Sequence, residues 1–221
     1  MHDMIFTMFS MLKTSLRPAL VALTLIAPAM AVNDAARAAT PAEAFISDNI
    51  QKGLQILSNR GPQRASQFES FLEGLTDISR IGRFTLGNAR RAASPADIAS
   101  FDAAFKNYAI AVYQSRLSAY TGQTLKVTGS TENAPGDFTV KTVMVDPHGD
   151  NGQQPLEVAF RVVTEGSRMV VIDVSVAGVW ISIEERDQFS AFLSQHNGSV
   201  PALVAHLNQL TAQLKTGNAA R

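Results

Sequence analysis

Hydrophobic and polar positions alternate most strictly between Leu156 and Ile183. Leu156, Val158, Phe160 and Val162 fall on one side of the period, and Glu157, Arg161 and Glu165 on the other. After a turn at Glu165-Gly166-Ser167 the pattern resumes with Val170, Ile172, Val174 and Val176. A period of two sustained this long predicts two antiparallel strands sharing one apolar face. Gly178 reads as a bend or bulge inside the second strand. Upstream, Leu125–Thr131 and Phe138–Val145 predict two more strands, joined by a turn at Asn133-Ala134-Pro135-Gly136. The apolar face of such a sheet has to be covered by helices, by a partner or by an apolar ligand.

Helical spacing surrounds this meander. Thr40-Pro41-Ala42-Glu43 is a capping box with proline in the first turn, and Phe45, Ile46, Ile50, Leu54 and Leu57 continue the stripe until Gly61-Pro62. Phe68–Leu75 predicts a short second helix, and Asp77–Gly87 a third that glycine closes. Ser94-Pro95-Ala96-Asp97 opens a long helix, Pro95 to Tyr120, with Ser94 as its cap. It carries two stripes, Phe101/Phe105/Tyr108/Val112 and Ile110/Tyr113/Leu117/Tyr120, whose centres lie about 130° apart at 100° per residue. Two apolar faces mark a central helix. One stripe is expected to rest on the sheet and the other to meet helices or a cavity. Glu184–Gln195 and Val200–Leu214 return to helical spacing, and Lys215–Arg221 is expected to fray. Helices, a four-strand meander and helices again define an α+β fold, a twisted antiparallel sheet of about four strands with helices packed on it.

The chain's beginning sets the compartment. Lys13 and Arg17 precede an uncharged apolar run, Ala19–Ala31, followed by small-x-small sites at Ala29-Met30-Ala31 and Ala36-Arg37-Ala38. This is the layout of a secretory signal peptide over residues 1–38, with cleavage after Ala38 or Ala39 and Ala31 as the next choice. The run is shorter than the ~20 residues that span a bilayer. Residues 39–221 then form one domain. There is no cysteine, so no lipid can be attached at a cleavage-site cysteine and no disulfide forms; a domain of this size buries enough core without one. Of 19 basic and 19 acidic residues, the leader removes three and two, leaving a net charge of −1. That balance excludes a nucleic-acid binder of the basic type.

Catalytic signatures are missing. The sequence has no Gly-x-Ser-x-Gly elbow, phosphate-binding glycine loop, His-Glu-x-x-His motif or cysteine nucleophile. His148, His196 and His206 have no metal-ligand spacing. Asp146, His148, Asp150 and Glu157 fall at calcium-loop offsets, but asparagine stands where that loop needs glycine, so a solvated hairpin loop is the better reading. Glu184-Glu185-Arg186-Asp187 reads as acids favouring a helix N-terminus. Asp173 reads as an acceptor fixing the strand's end. No metal or cofactor is called for.

Four segments together resemble the MlaC-type family of periplasmic phospholipid carriers, the toluene-tolerance proteins. They are Asp77–Arg91, containing Phe84-Thr85-Leu86-Gly87-Asn88-Ala89-Arg90-Arg91; Phe101-x-x-x-Phe105-x-x-Tyr108 onward to Tyr120-Thr121-Gly122; Ile172-Asp173-Val174 with Gly178-Val179 and Arg186-Asp187-Gln188-Phe189; and Val200-Pro201-Ala202-Leu203 to Leu207. In order, they cover most of residues 42–214. The chain departs from the family in having Met169-Val170 where an aromatic is usual and Trp180 where serine follows Gly-Val. Gly178-Val179-Trp180 before Glu184-Glu185-Arg186-Asp187 is similar to the branch named for hopanoid biosynthesis.

The resemblance implies a soluble, non-enzymatic carrier that takes phospholipid, or a hopanoid-type lipid, across the periplasm. Its implied partners are an inner-membrane ABC transporter complex and an outer-membrane lipoprotein or transporter, in the maintenance of outer-membrane asymmetry. An apolar pocket must then stay unfilled by side chains. Its candidate walls are Leu156, Val158, Phe160 and Val162 on one strand, Val174 and Val176 on the next, and Phe105, Tyr108 and Val112 on the long helix, with Trp180. Which sheet face holds the pocket is left open. Two rival readings are an enzyme on a related cone-shaped α+β fold, which needs an acid or base inside the cleft, and a protein-interaction module with a filled core.

Overall fold

In a computed structural model of the protein, residues 38–116, 120–147, 149 and 154–219 are described. Residues 1–37 of the expected leader, Leu117, His148 and Asp150 lie outside these residues. Three helices open the fold, α1 Pro41–Ser58, α2 Arg64–Leu75 and α3 Ile78–Thr85, and a 3₁₀ turn, Gly87–Arg91, leads to the long α4, Pro95–Arg116. Both expected capping boxes form. Thr40 Oγ1 accepts the Glu43 N–H and Glu43 Oε2 accepts the Thr40 N–H, each at 3.2 Å. Ser94 Oγ accepts the Asp97 N–H at 3.1 Å and Asp97 accepts back from Ser94 N–H at 3.3 Å. Glu43 also accepts from the Ser130 hydroxyl at 2.7 Å, tying the start of α1 to the sheet.

The strands are β1 Thr124–Ala134, β2 Asp137–Val145, β3 Glu157–Glu165, β4 Arg168–Val176 and β5 Val179–Trp180. They pair in sequence order, every neighbour antiparallel. The fold is therefore α+β, with a fifth strand beyond the four expected. That strand is two residues long, too short to show a period. It is made by a tight hairpin in which Ala177 and Gly178 take φ of +50° and +82°, the left-handed pair that a two-residue turn of matching twist requires. Gly178 is thus a turn residue, and β4 ends before it.

A bulge corrects the expected face of β4. Arg161 pairs with Asp173 but Val162 pairs with Val171, leaving Ile172 as the extra residue. Alternation shifts by one there. Val174 and Val176 share a face with Phe160 and Val158, as expected, but Val171 and Met169 continue that face, and Val170 turns to the other. α1 covers this face, with Ala42 and Ile46 packed on Val140, Val162 and Val171.

A second core is helical. Phe101, Phe105 and Tyr108 of α4 pack with Phe189 and Leu193 of α5, Ile181–Gln195, and with Leu203 and Leu207 of α6, Val200–Ala219. Phe189 meets the Phe101 and Phe105 rings edge-on, each at 6.2 Å. α4 is central, as its two stripes require, but its first stripe rests on helices rather than on the sheet, because α1 already covers the sheet. Two starts also move. α2 begins at Arg64 rather than Phe68, and α5 begins at Ile181, directly after β5. The last helix runs to Ala219, past the point where fraying is expected.

Candidate functional site

A cavity of about 100 Å³ lies between β4 and the helices that face it. β4 contributes Val171, Asp173 and Val174. The α2–α3 junction contributes Leu72, Thr76, Ile78 and Ile81; α4 contributes Phe105, Tyr108, Ala109, Ile110, Val112 and Tyr113; and α5 contributes Ile181, Ser182 and Glu185. Local chemistry holds each wall. Thr76 bridges to Val171, and the Asp77 N–H donates to the Val171 carbonyl at 3.3 Å, so the α2–α3 junction docks on the free edge of β4. Asp77 then caps α3 through the Arg80 N–H at 2.9 Å.

Asp173 fixes the opposite end. Its Oδ1 accepts the Val174 N–H at 2.8 Å and the Ser182 N–H at 3.1 Å, while its Oδ2 accepts from the Ser182 hydroxyl. A strand carboxylate therefore caps the first turn of α5 from outside the helix, where Trp180 at the N-cap position offers no side-chain bond. This is the strand-fixing acceptor role expected of Asp173, with backbone and serine as donors.

Glu185 differs from the acids around it. It is 6% exposed and lies one turn inside α5. Tyr108 donates to its Oε1 at 3.5 Å, the outer limit of a hydrogen bond. Among the described residues its Oε2 has no partner. Burial raises its pKa to about 7; the Tyr108 hydrogen bond opposes that rise and the charge of Glu184 adds to it. The Tyr108 phenol is held far above its ordinary range, first by burial and then by the Glu185 charge. Tyr113 keeps 42% of its surface accessible, yet burial leads the causes that raise its phenol, ahead of Asp173 and Glu185. Tyr113 is also one of the residues that line the cavity.

Of the wall residues read from the sequence, Phe105, Tyr108, Val112 and Val174 line this cavity. The others sit elsewhere. Val162 is fully buried beneath α1, with Phe160 packed against the same cluster. Val158 and Val176 are buried and pair across the ladder. Leu156 precedes β3, its carbonyl accepting the Met144 N–H at 2.8 Å. Trp180 is half-buried opposite Ser175. The reason is the coverage of the sheet: α1 takes the face over β2 and β3, and only the bulged part of β4 is left to border a gap. The stretch from Leu72 to Ile81 was legible as helix but not as a cavity wall. Glu185 did carry a readable signal. It shares the spacing of Ile181, Phe189 and Leu193, which puts a carboxylate on the buried stripe once the helix begins at Ile181.

A second concavity, a groove of about 620 Å³ between α1 and α2, is lined by Gln55, Ile56, Ser66, Gln67, Ser70 and Phe71. It is more open and lacks a perturbed titratable group, so the more enclosed cavity is the better candidate. No cluster of potential metal ligands occurs among the described residues. His196 stacks on Phe192 at 3.9 Å with Nδ1 2.8 Å from the Phe192 carbonyl, and His206 stacks on the same ring at 4.6 Å. No helix among the described residues is long and apolar enough to cross a membrane.

An open antiparallel meander with helices packed on it is also the fold of a solved protein. A phospholipid-binding protein from Ralstonia solanacearum, in complex with a phospholipid, superimposes with a TM-score of 0.68 at 23% identity, over 80% of this chain and 99% of that one. The MlaC protein family matches residues 45–209, and the chain belongs to that family.

Proposed function

We propose that the protein is a soluble periplasmic lipid carrier. The observation that carries this reading is the cavity itself, a largely apolar gap between β4 and α2–α5 in a member of the MlaC family. The phospholipid complex of the R. solanacearum protein of the same fold supports it. Residues 1–38 serve as a cleaved signal peptide, and residues 39–221 are the carrier. The ligand is a phospholipid or a hopanoid-type lipid, passed between an inner-membrane ABC transporter complex and an outer-membrane component. The physical need is plain. Each methylene left in water costs about 0.8 kcal/mol, so a lipid crosses an aqueous space only when its tails are covered.

Native mass spectrometry of the protein purified from cells tests the reading. Co-purifying phospholipid supports it. A ligand-free protein that also extracts no phospholipid from vesicles sinks it. Repeating the extraction from a hopanoid-deficient host distinguishes the two lipid classes, since a hopanoid would vanish from the bound fraction.

Glu185 favours one second reading. A carboxyl with a pKa of about 7 facing an apolar cavity is suited to proton transfer near neutral pH, as an enzyme on a related fold would need. Recovery of the bound lipid with unchanged mass after long incubation favours the carrier; a chemically altered lipid, with loss of the change in Glu185→Gln, favours the enzyme.

A further inference from the structure

The cavity is not uniformly apolar. Two polar pairs interrupt its walls, Asp173 with Ser182 and Glu185 with Tyr108. The first pair is self-satisfied, since both carboxylate oxygens of Asp173 accept from α5 or from its own strand. The second is not. Glu185 Oε1 has one long bond, and Oε2 has none among the described residues, in a side chain 6% exposed. A buried acceptor left without a partner is destabilising. A wall that meets only acyl chains gains nothing from it; leucine or methionine in the same place would pack without that cost.

We propose that Glu185 and Tyr108 form a hydrogen-bonding subsite inside the cavity for a hydroxyl carried on the apolar part of a lipid ligand. The proposal deepens the carrier reading and rests on it. A hydroxyl fits because it donates and accepts at once. It donates to the unpartnered Oε2 and accepts from the protonated carboxyl or from the Tyr108 O–H. A phosphate does not fit, because the carboxyls of Glu185 and Asp173 line that side of the cavity. The hydroxyl therefore belongs to the part of the lipid that enters the protein, away from any charged head group. Such a site discriminates by leaving its own polar atoms unpaired when the wrong ligand binds.

The test compares two probes of the same chain, one with a free hydroxyl and one with that hydroxyl capped by a methyl group. Wild-type protein, stripped of lipid, is loaded with a fluorescent phospholipid, which is then displaced by 1-tetradecanol or by its methyl ether. The alcohol is expected to displace at about tenfold lower concentration, the effect of one good hydrogen bond to a buried group. In Glu185→Leu the two probes should become equal, and in Glu185→Gln, which keeps an acceptor, part of the difference should remain. Equal displacement by alcohol and ether in the wild type overturns the subsite and leaves the carrier standing. A difference that survives intact in Glu185→Leu also overturns it. Failure of the fluorescent phospholipid to bind at all overturns the carrier reading on which the subsite depends.

Discussion

Burial holds the Glu185 carboxyl at a pKa of about 7, against an ordinary 4.5. Because the folded value is the higher one, the folded state binds more protons than the unfolded chain between those two pH values. Stability contributed by this group therefore falls as pH rises through that window and is level above it. The full swing is about 3 kcal/mol at 1.36 kcal/mol per pKa unit. Asp137 works in the opposite direction: its hydrogen bonds from Arg161, the shorter at 2.7 Å, hold its carboxyl below the ordinary range, so its share is lost only as the medium becomes strongly acid. The two windows do not overlap. Urea midpoints of the wild type should drop from pH 5 to pH 7, and those of Glu185→Gln should stay flat; parallel curves for the two proteins would disprove the assignment. Gly82 makes a second demand at one position. A Cβ there would lie 2.7 Å from Phe105 Cδ1, and the Phe105 ring is fixed between Phe101 and Phe189. Gly82→Ala should destabilise the fold by about 1–3 kcal/mol, as overpacked cores do, and chemical denaturation measures it directly.

Elements whose rules are local could be read from the sequence. Both capping boxes lie within four residues of chain, so Thr40 with Glu43 and Ser94 with Asp97 announce their helices without tertiary help. The strand pair β3–β4 is equally legible in its outward charges and its existence. Its register is not, because the bulge at Ile172 arises from pairing across the ladder, which a single strand's alternation does not encode. β5 was hidden for the same reason, since two residues pair only because Ala177 and Gly178 turn the chain. Site residues followed the same division. Phe105, Tyr108 and Val112 lie on a stripe whose period is visible, whereas Phe160 and Val162 were drawn from a face that α1 covers instead. Ala177 offers a test at this scale. An alanine at φ +50° pays a steric penalty in the left-handed region that asparagine tolerates better. Ala177→Asn should raise stability by about 0.5–1 kcal/mol, read as a shift in thermal midpoint; an unchanged or lowered midpoint would show that backbone preference at this position does not limit the turn, whose Ala177 N–H bond to the Glu157 carbonyl, at 2.9 Å, both residues can make.

The whole molecule faces a mismatch of size. Ligand sites occupy about 300–1,000 Å³, and the cavity is about 100 Å³, so a lipid enters only if a wall moves. β4 is locked within the sheet, and α4 and α5 share the helical core. The α2–α3 wall is the weakest. α2 buries only Leu72 and has no side-chain cap at its start. The open groove of about 620 Å³ lies on its other side, which gives it space to move into. Elements with few buried contacts open at the lowest free-energy cost. The latch is then the contact of Thr76 with Val171, where the α2–α3 junction is fastened to β4. The natural chain has no cysteine, so a pair introduced at Thr76→Cys and Val171→Cys is the only disulfide available. Bridged residues on neighbouring segments stand about 5 Å apart, within the reach of a disulfide. Oxidised, the double variant should fold but load phospholipid from vesicles at least about tenfold more slowly than wild type, the effect of raising the opening cost by about 1.4 kcal/mol or more; reduction with a thiol should restore the rate. Loading that is equally fast in the oxidised and reduced forms would place the entrance elsewhere, and would leave α2 as a fixed wall.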